Sequence, residues 1–554
     1  VKGDKIIKKY QHRIPRKSEG YFLKIEKDCI VIAGADERGA YYGVQTLAQL
    51  LALDKLPLAE VTDYPDVPYR GVVEGFYGAP WSQEARIRQL DFYGRNKMNV
   101  YIYGPKDDPY HRTPNWRKPY PAREGEELKV LVNRAKENNV IFYWAIHPGQ
   151  DIRWNEEDRS LLLQKFESMY QLGVRGFAVF FDDISGEGTK ADKQAELLNY
   201  IDDHFVKVKR DVAPLILCPT EYNKSWTDVE GGYLTTLGDK LNEGIKVMWT
   251  GDMVVATIDK STLDFVNPLL KRKAYIWWNF PVSDYVQDHL LLGPVYGNGL
   301  DVKDDMSAFV SNPMEHAEAS KISLYSVADY TWNMENYDSE TSWKHAVRDL
   351  MPLHAEYLEI FAAHNSDPGQ NGHRFRREES VAIQPALSAL LKAYQEKNEI
   401  DEDAYRQVAE ECRKIIVAAD GLLASGNENR PLITEIRPWL IQFKQVGEYG
   451  AEVLNMIRLR QQKDAFIGSY EHARALLVLM GETDAQYKAG IKSGSLHLMP
   501  TFNALFEAAT TGYNAAFHAG LDTKAVYSPY TLKSDVNQLA SLPIQQKGKV
   551  NTII

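Results

Sequence analysis

The chain has 554 residues, of which 44% are hydrophobic and 25% are charged, and its formal net charge is −11. This length exceeds what one hydrophobic core usually supports, so we expect roughly two to four domains of ordinary globular composition. The acidic balance argues against a surface for nucleic acid or anionic lipid, and no apolar run approaches the ~18 residues of a membrane span.

The three cysteines, Cys29, Cys218 and Cys412, lie far apart in the sequence. Their spacing matches neither a zinc-binding pattern nor the disulfide framework of a small secreted domain. The first residues, VKGDKIIKKYQHR, contain no hydrophobic region of the kind that a signal peptide carries. We therefore expect either a cytosolic protein or a processed or trimmed form, and the redox compartment stays open.

The N-terminal segment, residues 1–66, mixes short strand patterns with one helical pattern. The stretches YFLKI and CIVIAG predict strands, and AYYGVQTLAQLLAL predicts a helix. The proline-containing stretch VTDYPDVPYRG that follows is typical of a linker. The segment therefore predicts a small α+β domain that ends near residue 66.

A regular alternation of strand and helix patterns occupies residues 67–372. Predicted strands recur about every 30 to 45 residues, with helical patterns between them, which is the arrangement of parallel strands. The eight strands are RGVVEGFYG, NVYIYGPKD, VIFYWAIHPG, GFAVFFDDIS, PLILCPTEY, IKVMWTGD, AYIWWNFPVSD and ISLYSVADYTWN. The α/β fold predicted here is a (β/α)8 TIM barrel. A doubly wound sheet is the alternative, although no GxGxxG fingerprint follows the first strand.

Strand patterns end after the barrel region. From residue 373 to 520 the apolar residues recur at helical spacing, as in SVAIQPALSALLKAYQEKN, and predict a C-terminal helical bundle. The segment 521–554 is less regular, and we interpret it as a tail or as the start of a further module.

Polar and aromatic side chains gather at the ends of the predicted barrel strands. In a TIM barrel the carboxyl ends of the strands form the mouth where active residues lie. Carboxylates, amides and aromatic rings, without phosphate-binding glycines or clustered cations, favour a carbohydrate site. The residues at these ends are Gly75, Tyr77, Lys106, His147, Asp182, Asp183, Cys218, Tyr222, Thr250, Trp277, Trp278, Asn279 and Asp284.

Asp182 and Asp183 stand side by side where the apolar run GVRGFAVFF stops. Two adjacent charges are costly to bury, and neighbouring strand residues point to opposite faces. Both carboxylates can enter the mouth only if Asp182 ends the strand and the loop turns Asp183 back. Even then they cannot straddle a sugar ring as an acid and a separate nucleophile would. The pair therefore predicts a glycosidase whose substrate supplies the nucleophile, for which a 2-acetamido carbonyl is the usual candidate.

Several of these side chains also have a purely structural explanation. Lys106 could be a solvated loop lysine, His147 could cap or pack, and Trp277 and Trp278 could pack between barrel and helices. A metal site on the aspartate pair would need further ligands, and the spacing fixes no histidine ligand. We therefore predict no metal ion and no cofactor.

The segments RGVVEGFYGAPWS, YIYGPKDDPYHR, FAVFFDDISG and WWNFPVSD together resemble glycoside hydrolase family 84, the O-GlcNAcases and related bacterial β-N-acetylglucosaminidases. The resemblance covers residues 1 to about 520. It implies a retaining exo-β-N-acetylglucosaminidase acting on GlcNAc O-linked to Ser or Thr, through an oxazoline intermediate. The implied partners are β-linked GlcNAc groups on glycoproteins, glycopeptides or glycans. Export from the cell is also implied.

The resemblance further implies roles for single residues. Asp182 would orient the 2-acetamido group, Asp183 would act as general acid and then base, and Tyr222 would lie by the anomeric centre. Asp182 must then be charged and Asp183 must start protonated, which an adjacent negative charge and partial burial favour. Residues implied to bind the hydroxyls are Gly75, Lys106, Asn279, Asp284 and Asn312. Residues implied to enclose the ring and acetyl methyl are Tyr77, Cys218, Thr250, Val254 and Trp277.

Two other functions remain open on the sequence. One is an endo-acting hydrolase of hyaluronan type on the same fold, which an open cleft would favour. The other is a glycan-binding protein without turnover. The intact aspartate pair counts against the second, because a binding protein needs no proton donor there.

Overall fold

The computed structural model describes residues 5–367 and 378–529. Along the chain it contains a three-stranded sheet, a closed eight-stranded barrel and a set of long helices. The predicted boundary between residues 372 and 373 and the tail residues 530–554 lie outside the described residues.

The N-terminal sheet consists of β1 (Tyr21–Ile25), β2 (Ile30–Gly34) and β3 (Ala59–Asp63), paired antiparallel in the order β2-β1-β3. The predicted helix is confirmed and spans Glu37–Leu51; the Asp36 side chain caps it by accepting the Gly39 N–H. Strand β3 was not predicted, because its sequence AEVTD alternates charged residues on an edge and leads into the prolines that indicate a linker.

Eight parallel strands close into a barrel, each paired with its neighbours in the sequence and the last with the first. This confirms the TIM barrel and excludes the doubly wound sheet. The strands are β4 (Tyr69–Glu74), β5 (Val100–Tyr103), β6 (Ile141–Ile146), β7 (Gly176–Phe180), β8 (Ile216–Cys218), β9 (Lys246–Trp249), β10 (Ala274–Trp278) and β11 (Met306–Ser311).

The eighth predicted strand, ISLYSVADYTWN, is wrong. It lies in the helix Ala317–Trp332, and the eighth strand is the shorter MSAFVS segment of β11. This helix is buried on nearly every side and packs against β4, β11 and the neighbouring helices. It therefore has no polar stripe to mark a helical period, and its β-branched and aromatic residues mimic a buried strand.

Successive side chains of the barrel strands alternate between the interior and the surrounding helices. On β10, Trp277 packs inside the barrel with Cys218 and Tyr275. Trp278 points outward, and its indole N–H donates to the Ala256 carbonyl at 2.9 Å. The structural explanation therefore holds for Trp278, while Trp277 faces the barrel interior.

Helices cover the barrel and continue into a helical region. Those that follow the strands are Gln83–Arg95, Ala122–Glu137, Glu156–Gln171, Ala191–Ile201, Lys207–Lys209, Tyr233–Lys240, Lys260–Leu270, Ala317–Trp332, Ser339–Leu350 and Ala355–Ala363. The later helices are Gln384–Lys397, Glu402–Ala424, Arg430–Arg458, Lys463–Ala485 and Leu498–Phe517. In the described part of the chain, no helix combines the length and apolar character needed to cross a bilayer.

Gly71 in β4 leaves no room for a side chain, because a Cβ there would lie 1.8 Å from the Val100 carbonyl oxygen of β5. Gly71→Ala should therefore lower the free energy of unfolding by about 3 kcal/mol or abolish soluble expression. Urea unfolding measures this. The matched control is Gly244→Ala, at an exposed glycine with open space around it. Equal stability of the two variants would contradict the prediction.

Candidate active site

The aspartate pair lies just beyond the end of β7, at the carboxyl mouth of the barrel. Phe181 still pairs with β8, since its N–H donates to the Cys218 carbonyl at 2.9 Å. Asp182 follows and is buried, whereas Asp183 adopts a left-handed backbone conformation with φ of 53°. This turn, uncommon for a residue other than glycine, lets adjacent carboxylates occupy one mouth.

Asp182 is held by residues from two other strand ends. The Lys106 ammonium, after β5, donates to Asp182 Oδ2 at 2.9 Å. His147, after β6, places Nε2 at 2.8 Å from the Asp182 main-chain oxygen and at 3.5 Å from Oδ1. Burial alone would raise the pKa of this carboxyl, but the Lys106 charge and His147 outweigh it and hold that pKa far below its usual range.

The second carboxylate oxygen of Asp182 is left without a hydrogen bond. Oδ1 is fully buried, and none of the described residues donates to it, because the nearer contact of His147 is with the main-chain oxygen. A buried, ionised oxygen without a donor is costly to maintain. The site therefore holds an ionised oxygen whose capacity to accept a hydrogen bond is not used by the described residues.

Asp183 lies in a different environment. The Tyr77 hydroxyl donates to Oδ2 at 2.9 Å, and the Tyr222 hydroxyl donates to Oδ1 at 2.8 Å. The Asp183 side chain is exposed, which differs from the partial burial expected from the sequence. The mouth therefore contains one shielded carboxylate and one that meets solvent.

The segment from Gly75 to Ala79, after β4, is held by three acceptors from the ends of β10 and β11. The N–H groups of Gly75, Tyr77 and Ala79 donate to Asn312 Oδ1 at 3.3 Å, Asp284 Oδ2 at 3.1 Å and Glu315 Oε2 at 2.5 Å, respectively. These bonds aim the Tyr77 ring across Lys106 toward Asp183, with the ammonium 5.0 Å from the ring centre.

Gly75 must be glycine for a steric reason, since a Cβ there would lie 2.5 Å from the Trp277 ring. Trp277 forms one wall with Phe180, at 5.4 Å between ring centres. Its indole N–H donates to Asn279 Oδ1 at 2.8 Å, and that oxygen also accepts from Asn312 Nδ2 at 3.0 Å. The two amides thus lock the indole in one orientation.

The remaining predicted residues line the barrel interior beneath this mouth. Cys218 is the last residue of β8, and burial raises the pKa of its thiol well above the usual range, which disfavours the thiolate that a nucleophile requires. The Thr250 hydroxyl donates to the Met253 carbonyl at 2.9 Å. Asn279 Nδ2 donates to the Val254 carbonyl at 2.6 Å, which holds Val254 beside the mouth. The structure thus brings all of the predicted site residues together.

Two residues that contact the site were given no role in it from the sequence. His147 was noted at a strand end, but its contact with Asp182 could not be distinguished from capping or packing. Glu315 braces the Tyr77 segment from 236 residues further along the chain. Only the position of Glu315 just after the last strand could have indicated it, and that strand was misplaced.

The geometry of the mouth defines a class of protein. The mouth of this TIM barrel combines one shielded and one solvent-facing carboxylate with aromatic rings and amides. This combination is typical of a glycoside hydrolase. Residues 70–363 match the family model of β-N-acetylglucosaminidase, and residues 379–506 match the post-catalytic domain of bacterial family 84 enzymes. The chain therefore belongs to glycoside hydrolase family 84, the family of β-N-acetylglucosaminidases.

Two further segments match other family models. Residues 8–64 match domain 2 of glycoside hydrolase family 20, and residues 521–554 match carbohydrate-binding module family 32. In the described ranges, no group of three or more His, Cys, Asp or Glu side chains is placed to hold a metal ion.

Similar proteins support the family assignment. The protein O-GlcNAcase of Rattus norvegicus is 35% identical over 276 residues, which is 48% of this chain and 30% of the rat protein, so the match spans under a third of that relative. The structure of CpGH84B has a TM-score of 0.82 and 33% identity and covers 91% of this chain and 89% of its own. A mutant of the Thermobaculum terrenum O-GlcNAc hydrolase has a TM-score of 0.70 and 26% identity over 83% of this chain and 100% of its own.

The protonation of Asp284 makes the free energy of unfolding depend on pH. Burial first, and then the nearby Asp183 and Glu315 charges, raise its pKa to about 6, although the Tyr77 N–H and Lys106 pull it down. Between about pH 4 and 6 the folded chain keeps a proton that the unfolded chain has already lost. The stability that the protonated Asp284 contributes is therefore lost as the pH rises through 6.

We therefore expect Asp284→Asn to gain stability relative to the wild type as the pH rises, by about 2 kcal/mol between pH 4.5 and 7.5. Urea unfolding at several pH values measures the difference. Asp54→Asn, at an exposed loop residue, is the control and should show none of this pH dependence. A difference for Asp284→Asn that stays constant across this range would contradict the prediction.

Proposed function

We propose that the protein is a retaining exo-β-N-acetylglucosaminidase that removes O-linked GlcNAc from Ser or Thr of proteins or glycopeptides. The relatives named as O-GlcNAcases support this choice of substrate. Other β-linked GlcNAc on glycans fits the same pocket chemistry. Export from the cell stays a prediction of the sequence resemblance.

One observation carries the proposed mechanism. Asp182 is ionised, buried and immobilised by Lys106, yet its Oδ1 has no donor among the described residues. The N–H of a 2-acetamido group matches this acceptor and would relieve its cost. A carboxylate that held this N–H would orient the amide and raise the electron density on its carbonyl oxygen.

In the first step, the acetamido carbonyl oxygen bonds to C1 as the bond between C1 and the aglycone oxygen breaks. Asp183 gives its proton to the departing oxygen, and the charge on Asp182 stabilises the oxazolinium-like ring that forms. Because the nucleophile is already held within the substrate, the reaction gains the advantage of proximity.

In the second step, water attacks C1, Asp183 takes the proton of that water, and the bond between C1 and the acetamido oxygen breaks. The exposed position of Asp183 gives water access from the solvent side. The two phenols of Tyr77 and Tyr222 stabilise its ionised state between the steps. Two displacements at C1 retain the β configuration.

The other site residues bind the sugar in this proposal. Lys106, Asn279, Asp284 and Asn312, with the Gly75 main chain, offer polar groups to the hydroxyls. Tyr77, Cys218, Thr250, Val254 and Trp277 enclose the ring and the acetyl methyl.

The test of the mechanism is hydrolysis of aryl β-GlcNAc substrates whose N-acetyl group carries zero to three fluorines. Fluorine withdraws electrons from the carbonyl oxygen with little change in size. We expect kcat/KM to fall steeply with each fluorine, because that oxygen is the nucleophile. A flat response with good activity would mean an enzyme nucleophile, and no turnover on any substrate would favour a glycan-binding protein.

Replacing the two aspartates separates their roles. We expect Asp183→Asn to lower kcat/KM by about 10²- to 10⁴-fold on substrates with a poor leaving group and far less on activated aryl glycosides. Asp182→Asn should slow both kinds of substrate, because it removes the orienting charge. Kinetics across a series of leaving groups measures this. The same leaving-group dependence in both variants would contradict the assignment.

A further inference from the structure

The first part of the loop after β10, residues 279–292, links the candidate active site to the helical region. Asn279 and Asp284 lie at its beginning, within the barrel mouth. Its later part, around Asp288 and His289, is buried against residues from the long C-terminal helices and the segment between them. One short stretch of chain therefore touches both the sugar site and the helical region.

The connection from Asp284 to Asp288 is short and tight. The Val286 N–H donates to the Ser283 carbonyl at 2.8 Å, and the His289 N–H donates to the Val286 carbonyl at 2.9 Å. These two consecutive turns leave little freedom between the positions. A displacement of Asp288 would thus be transmitted to Asp284.

Asp288 is held by several groups of the helical region at once. Its main-chain oxygen accepts the Trp439 indole N–H and the Lys492 main-chain N–H, each at 2.9 Å. The Lys492 ammonium donates to Asp288 Oδ2 at 2.5 Å, while His289 Nδ1 lies 2.6 Å from Oδ1. Charge-assisted hydrogen bonds such as those of Asp288 are stronger than bonds between neutral groups. Asp288 is therefore firmly attached to the helical region.

His289 adds a second attachment. Its Nε2 lies 2.7 Å from the Ser495 hydroxyl, which in turn donates to Glu379 Oε1 at 3.3 Å. His289, Ser495 and Glu379 are all buried, so this aspartate–histidine–serine chain has no access to substrate. These hydrogen bonds therefore attach the loop to the helical region and take no part in hydrolysis.

We infer that the helical region positions the sugar-binding part of the active site, and that Asp288 with Lys492 and Trp439 is the joint through which it does so. Asp288 is a positioning residue in this account: it touches no substrate and acts through Asp284. The inference rests on the proposed function in one respect, namely that Asp284 contacts the sugar.

The first test is Lys492→Met, which keeps much of the side-chain length and removes the charge. We expect kcat/KM on an aryl β-GlcNAc substrate to fall about ten- to a hundredfold, mostly through KM, because a site displaced by about 1 Å loses binding geometry. Lys492→Arg should restore most of it. The control is Lys444→Met, which breaks the 2.7 Å contact with Asp420 inside the helical region and should leave KM unchanged.

A double-mutant cycle separates positioning from general destabilisation. In an Asp284→Asn background, Lys492→Met should add little to KM, because the group it positions is already altered. A full, additive KM effect in that background would overturn the inference. So would an unchanged KM for Lys492→Met at a temperature where it is folded.

Hydrogen exchange provides a readout that does not depend on turnover. Amides of residues 283–289 should exchange faster in Lys492→Met than in the wild type or in Lys444→Met, and unchanged exchange would overturn the inference. If the wild type fails to hydrolyse any β-GlcNAc substrate, the proposed function fails while this exchange test still decides whether the joint holds the loop. Should Lys492→Met not fold, Trp439→Phe removes a single donor and carries the same tests.

Discussion

The chemistry of this site depends on a carboxylate that stays ionised while buried. Asp182 is removed from water, and the Lys106 ammonium at 2.9 Å is what makes that state tolerable. Only one of its two oxygens is used in this way. The barrel thus bears the cost of desolvating a charge, and the other oxygen stays buried without a hydrogen-bond donor among the described residues.

The parallel barrel is what makes this pairing possible. Lys106, His147 and Asp182 follow three consecutive strands, β5, β6 and β7, whose carboxyl ends meet on one rim. The opposite side of the rim, after β10, β11 and β4, supplies amides and the Tyr77 segment, whose hydroxyl crosses to Asp183. The aspartate pair and the Tyr77 segment therefore follow different sets of strands on the same rim, and the loop after β10 is the one that contacts the helical region.

Much of this arrangement could be predicted from the sequence, and the failures have physical causes. Seven barrel strands are apolar runs that end in polar residues, and the adjacency of Asp182 and Asp183 by itself argued against a separate nucleophile. Strand β11 was missed because the fully buried helix after it shows no amphipathic period. The exposure of Asp183 depends on its left-handed backbone conformation, which the sequence does not predict for an aspartate. The contacts of Glu315 and Lys492 join residues more than 200 positions apart, and no local pattern encodes them.

The helix Ala317–Trp332 has a consequence for how the chain is made. Trp332 completes the core of the N-terminal sheet: its indole N–H donates to Asp63 at 2.9 Å, and its ring meets Tyr42 edge-on at 5.5 Å. The last strand of the sheet ends at residue 63, yet the side chain that completes its core, Trp332, lies 269 residues further along the chain. At a synthesis rate of about 5–20 residues per second, the nascent sheet waits roughly 15 to 50 seconds for this side chain. The N-terminal sheet therefore acquires this core side chain only long after its own three strands have been synthesised.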